Sequence, residues 1–150
     1  MQLEDILANV ADQDRGKEFE LLDPNDGKPT GIKLWIVGPD SDTAHRARLA
    51  LSDELAEVAD VDGKVTAEQR ERARLNCLAR HVLRWEITED GQPVPFSHKA
   101  VLRLLKVHWV QEQVDAFAAD RRAHRGERET VFKHASDGFK GLHSEPEGDS

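Results

Sequence analysis

A stretch dense in turn-forming residues, Asp23-Pro24-Asn25-Asp26-Gly27-Lys28-Pro29-Thr30-Gly31, separates two apolar runs, Phe19–Leu22 and Ile32–Val37. In the second run Ile32, Leu34 and Ile36 alternate with Lys33, Trp35 and Val37. A period of two places one wholly apolar face on one side of a strand, and the turn residues bring the two runs back on each other as a β-hairpin. The rest of the chain repeats its apolar residues at three and four, the spacing of helices. The fold class that follows is α+β and mostly α-helical, a small N-terminal β-hairpin packed with an antiparallel helical bundle.

Helix boundaries are marked by capping residues. Residues 1–14 carry Leu3, Ile6, Leu7 and Val10 among Asp and Glu, one short amphipathic helix. After Gly38-Pro39, Asp40 or Ser41 can accept from the free N–H groups of a helix that starts near residue 42. Along that helix Ala44, Ala47, Leu51, Leu55 and Val58 form an apolar stripe, and Asp60-Val61-Asp62-Gly63 breaks it. Thr66 and Gln69 stand in the capping-box spacing, opening a helix that the apolar pattern continues through Leu75, Leu78, Ala79, Val82 and Leu83. A second hairpin or extended excursion is expected from Trp85 to Phe96, its return limb kept at an edge by Pro93 and Pro95. Ser97 can cap a helix with Val101, Leu102, Leu104 and Leu105, and Trp109, Val110, Val114 and Phe117 continue the spacing to about Arg125. Whether one helix or two, bent at Lys106-Val107-His108, is left open by the pattern. We expect a single domain over 1–125 and a flexible charged tail over 126–150, where apolar residues thin to Val131, Phe132, Phe139 and Leu142.

With 150 residues, 38% hydrophobic, the chain can build one modest core. Its net charge of −8 opposes a general nucleic-acid surface. No run approaches the roughly 18 apolar residues of a membrane helix, and the opening Met1-Gln2-Leu3-Glu4-Asp5 is acidic where a signal peptide is basic, so a cytoplasmic chain without membrane attachment is expected. One cysteine, Cys77, leaves no internal disulfide and no multi-cysteine zinc site.

Chemistry-bearing groups do not converge in the sequence. Asp60, Asp62 and Gly63 suggest the middle of a calcium loop, but with Gly63 at its sixth place the first ligand would be Val58 and the twelfth Gln69. The seven histidines, His45, His81, His98, His108, His124, His134 and His143, show no zinc-binding spacing. Cys77 and His81 lie four apart on one helix, within reach as nucleophile and base. A mid-helix thiol lacks an N-terminal dipole, however, and no Gly-rich elbow or phosphate loop accompanies the pair. Arg70, Arg72, Arg74, Arg80 and Arg84 make one helix basic, and Arg121, Arg122, Arg125 and Arg128 a second patch, each interleaved with Glu or Asp that would pair with it. We therefore expect no enzyme, no metal and no cofactor. The remaining signal is apolar: a domain this small cannot bury all of the Val101–Val110 set and its aromatics, which anchor partner grooves elsewhere.

Leu34-Trp35-Ile36-Val37-Gly38-Pro39-Asp40-Ser41, a helix, a second helix closing at Trp85, then Asp90-Gly91-Gln92-Pro93-Val94-Pro95-Phe96-Ser97, a Leu-rich helix and Val110-Gln111-Glu112-Gln113-Val114-Asp115-Ala116-Phe117 follow one another in order. Over roughly residues 15–125 this resembles the tail assembly chaperones of long-tailed, siphovirus-like bacteriophages and prophages. The resemblance implies a helical protein of the host cytoplasm that coats apolar helical segments of the tape-measure protein, keeps them soluble and helps recruit tail tube subunits, often alongside a frameshifted longer product. A holdase needs shaped apolar surface and soluble charge rather than catalytic groups. By helical spacing, the partner-binding candidates are Leu102, Leu105, Trp109, Val110, Val114 and Phe117. The alternatives are a structural head–tail joining or tail-terminator component, which would form a ring and persist in virions, and an accessory nucleic-acid-binding protein using the arginine helix. Homo-oligomerisation is compatible with each.

Overall fold

The computed structural model describes residues 1–125; the expected tail over 126–150 lies outside the described residues. Among the described residues, five helices and two small antiparallel sheets make an α+β, mostly helical fold. The hairpin forms from β1 (Lys17–Leu22) and β2 (Pro29–Ile36), paired with Phe19 opposite Leu34 and a bulge between Glu20 and Leu22. Its alternation is realised: Leu34 and Ile36 are wholly buried, and Trp35 on the other face lies under the Arg84 guanidinium, 4.7 Å from the ring centroid.

Helix α1 spans Leu3–Asp14, α2 Asp42–Val58 and α3 Ala67–Ala79. The expected caps of α2 and α3 are present. Ser41 Oγ accepts from Ala44 N at 3.0 Å and donates to Gly38 O at 2.8 Å, and Thr66 exchanges side-chain bonds with Gln69 in a closed capping box. The α2 stripe is narrower than its spacing implies, with Ala44 and Ala47 buried, Leu51 and Leu55 half-buried and Val58 exposed.

One element differs from the expected course. The second helix does not run on through Leu83: it ends at Ala79, and β3 (Val82–Glu86) joins the sheet as a third strand in the order β1-β2-β3, with Leu34 opposite Trp85. Val82 and Leu83 keep a helical spacing from Leu78 and Ala79, yet Val82 pairs with Ile36 of β2 and Leu83 falls at the register shift beside it, and Val37 N donates to His81 O at 2.9 Å to close the junction. The expected second hairpin is β4 (Thr88–Glu89) with β5 (Gln92–Pro93). Asp90 and Gly91 turn it with φ of 52° and 75°, the two positive values of a type I′ turn. Trp85 Nε1 donates to Val94 O at 2.8 Å and its ring meets Phe96 edge-on, so the return limb is tied to the sheet.

The Leu-rich region is two helices, α4 (His98–Leu105) and α5 (His108–Ala119), parted at Lys106 and Val107. Gln111 holds the corner by donating from Nε2 to Leu105 O at 3.0 Å, which satisfies a terminal carbonyl of α4. The core is the buried face of the sheet (Leu21, Leu34, Ile36, Val82) covered by Leu75 and Leu78 of α3, Val101 and Leu105 of α4, and Val110 and Val114 of α5. Gln113 reads both backbone groups of Leu22, accepting from N at 2.9 Å and donating to O at 2.8 Å, so α5 closes the free edge of β1 as a further strand would.

Helix α1 is fastened by its last turns. Gln13, 3% exposed, accepts from Asp40 N at 2.8 Å through its side chain and from Gly38 N at 3.1 Å through its carbonyl. A Cβ on Gly38 would stand 2.3 Å from Gln13 Oε1, so only glycine allows this approach.

Gly38→Ala is expected to cost about 1–3 kcal/mol as an overpacked contact, and Leu34→Ala about 2–5 kcal/mol as a core cavity. Urea denaturation measures both; a wild-type midpoint for Gly38→Ala would contradict the close packing of Gln13.

Candidate functional site

The six partner-binding candidates do not form a surface. Leu105, Val110 and Val114 are 0–1% exposed and belong to the core, a correction to their expected role: the three-stranded sheet, one strand larger than the hairpin expected, consumes that face. Leu102, Trp109 and Phe117 are half-buried and packed against the same core. Phe117 stacks on Phe19 with centroids 4.7 Å apart, joining α5 to β1. Gln111 and Gln113, part of the motif that carried the resemblance, are the amides that fasten the α4–α5 corner and the β1 edge.

A cleft of about 230 Å³ opens between α2, α3 and α5, lined by Arg48, Leu51, Cys77, Leu78, His81 and Asp115 among others. It contains the cysteine–histidine pair, but not as nucleophile and base. His81 Nδ1 donates to the backbone carbonyl of Cys77 at 2.8 Å, since a carbonyl can only accept. Burial raises the Cys77 thiol above its ordinary range, with Arg80 and Arg48 pulling weakly the other way, so the sulfur stays protonated at neutral pH. Desolvation likewise depresses the His81 imidazole and keeps it neutral.

Several of the groups read for other chemistries make structural contacts. Asp60 turns its carboxylate onto its own loop, accepting from Asp62 N and Lys64 N, each at 2.9 Å. Arg74 pairs with Glu71 and also donates to Gln111, Arg80 pairs with Glu54 at 3.3 Å, and Arg84 lies on Trp35. Arg121 grips Asp40 with two bonds of 2.9 Å, and that guanidinium, with Gln13, holds the Asp40 carboxyl below the usual range despite partial burial.

Among the described residues, exposed large apolar side chains include Leu49 and Val61, and a run of three at helical spacing lies on α1. Leu3 is 69% exposed, Ile6 48% and Leu7 59%, and the stripe runs into half-buried Val10. Among the described residues, the second half of α1 is fastened to the body: Asn9 Nδ2 donates to His124 O at 3.3 Å, Gln13 holds Gly38 and Asp40, and Asp14 Oδ1 accepts from Thr43 N at 3.1 Å. Its first two turns project an i, i+3, i+4 apolar edge with nothing of the described chain upon it. Helical spacing identifies these residues as an apolar face and assigns that face to the core; only the tertiary attachments show that it is uncovered.

Comparison of the chain with protein families, with curated proteins and with solved structures returns no match in any of the three. Among the described residues, no helix is long and apolar enough to cross a membrane.

His124 anchors the end of α5 to α1. Its Nε2 donates to Phe117 O at 3.0 Å, its ring lies 4.6 Å from that of Phe117, and Nδ1 is buried with no partner. Desolvation depresses its pKa, as it does for His81. Both rings are neutral in the folded protein, whereas in the unfolded chain each takes a proton near pH 6.5. The unfolded state therefore binds more protons once the pH drops below about 6.5, and stability is full above that value and falls beneath it. Urea midpoints are expected to decrease between pH 7 and 5, with a shallower decrease in His81→Gln; an unchanged midpoint would contradict neutral burial of these rings.

Proposed function

We propose that this protein is a phage tail assembly chaperone that binds apolar helical segments of the tape-measure protein and keeps them soluble in the host cytoplasm until tail tube subunits replace it. The observation that carries the reading is the exposed Leu3-Ile6-Leu7 edge of α1, a helix fastened to the body through Asn9, Gln13 and Asp14. A client helix with its own apolar stripe can lie along such an edge by ordinary side-chain interdigitation. Each leucine or isoleucine so covered contributes on the order of 1 kcal/mol. A contact of this size is reversible, as a holdase requires if it is to yield its client to a growing tube.

The surroundings of the edge suit the task. Glu4 and Asp5 flank it, and the chain carries −8 overall, which keeps an apolar patch soluble and disfavours self-aggregation. The resemblance of the Leu34–Ser41, Asp90–Ser97 and Val110–Phe117 segments to tail assembly chaperones supplies the identity of the client. The edge lies outside the resembling region, and the resembling motifs themselves build the core, the Trp85 hairpin and the Gln111 and Gln113 fastenings of the α4–α5 corner and the β1 edge.

Co-expression with a tape-measure polypeptide provides the test. The wild-type chain is expected to move most of that polypeptide into the soluble fraction, and Leu3→Asp with Leu7→Asp to return it to the pellet without altering the chaperone's own urea midpoint. A client that stays insoluble with the wild-type chain, or stays soluble with the double variant, would overturn the proposal. So would recovery of the protein as a stoichiometric component of purified virions.

A further inference from the structure

The cleft between α2, α3 and α5 carries polar groups that the fold leaves unmet. His81, 8% exposed, gives its ring proton to Cys77 O, so Nε2 is a bare acceptor, and no described residue donates to it. The ring lines the cleft and faces the backbone of α3 through Nδ1, which turns Nε2 toward the opening. A nearly buried acceptor without a donor is a standing cost that a ligand can remove. Asp115 of α5 lines the same cleft and makes no ion pair or hydrogen bond among the described residues. Arg48 of α2, also in the lining, donates from Nη1 to Pro39 O at 3.2 Å and forms no ion pair there. Other charges nearby are already engaged: Asp40 takes both bonds of Arg121, and Arg74 is met by Glu71 and Gln111. Asp115 and Arg48 both stand close enough to His81 for their charges to act on its ring.

Below these groups the lining is apolar, with Leu51, Leu78 and the Cys77 thiol, which when protonated acts as a small hydrophobe. We propose that the cleft binds a free α-amino acid with an apolar side chain, its ammonium donating to Asp115 and His81 Nε2, its carboxylate held by Arg48 and its side chain resting on Leu51, Leu78 and Cys77. A plain carboxylic acid leaves His81 and Asp115 unmet, and a plain amine leaves Arg48 unmet; only a ligand carrying both charges answers all three groups. The volume of about 230 Å³ suits so small a molecule, since drug-sized ligands occupy roughly 300–1,000 Å³. This site is separate from the α1 edge and does not depend on what that edge binds.

Titration of the full chain with L-leucine, followed by amide chemical shifts, tests it against two probes that each lack one charge, isocaproate and isoamylamine. Leucine is expected to give saturable shifts at the amides of Cys77, Leu78 and Asp115, and each single-charge probe to bind roughly tenfold more weakly or worse. Asp115→Asn and Arg48→Gln are each expected to weaken leucine by roughly tenfold, with urea midpoints at the wild-type value, since both side chains are exposed. Equal affinity for the three compounds would make the cleft a bare apolar crevice and overturn the proposal. It is overturned as well if leucine, valine and phenylalanine all fail to give saturable shifts, or if both variants bind leucine as the wild-type chain does.

Discussion

The Gln13 amide is the point on which the useful geometry of this protein depends. A buried side-chain amide must satisfy its donors and acceptor or cost more than the contact is worth. Gln13 does so by accepting from Asp40 N and by donating to Asn9 Oδ1 at 2.8 Å, while its carbonyl receives Gly38 N. Asp40 in turn holds Arg121 from beyond the end of α5. One residue therefore ties the last turns of α1, the loop between β2 and α2, and the end of α5 into a single network. Because the fastening lies at one end of α1, the other end can be apolar and open without loosening the body.

The core explains why the open face lies there and not on the Leu-rich helices. The sheet has a third strand, and its buried face needs cover along the whole length of β2. Helices α3, α4 and α5 supply that cover with Leu75, Leu78, Val101, Leu105, Val110 and Val114, and the polar residues between them are spent on fastening. Gln111 satisfies the end of α4 and Gln113 the edge of β1. Cys77 and His81 are drawn into the same structural duty, the ring bonded to the backbone and the thiol kept protonated by burial.

Much of this was legible in local chemistry. The alternation of Ile32, Leu34 and Ile36, the Ser41 cap, the Thr66–Gln69 box and the Asp90–Gly91 turn each act through neighbours in sequence, and each stands where its pattern places it. What could not be read locally depends on partners far away in the chain. Strand β3 follows α3 without a glycine or proline to mark the change, and only the pairing of Val82 and Arg84 to Glu86 with β2 distinguishes the segment from another helical turn. The same limit governs the candidate site. Spacing shows that Leu105, Val114, Leu3 and Leu7 all lie on apolar faces, but which face is covered is decided by the packing of whole elements, and it covers the first two and leaves the others open.

On the proposed reading, the Leu34–Ser41, Asp90–Ser97 and Val110–Phe117 segments serve as scaffold, and the surface proposed to meet the client is the short amphipathic edge of α1. Chemical-shift mapping with a synthetic apolar helix from a tape-measure polypeptide tests this most directly. Perturbations concentrated at the amides of Leu3 to Val10, with the cleft around Cys77 and His81 unmoved, are the predicted result. Shifts confined to that cleft, or none at saturating peptide, would contradict it.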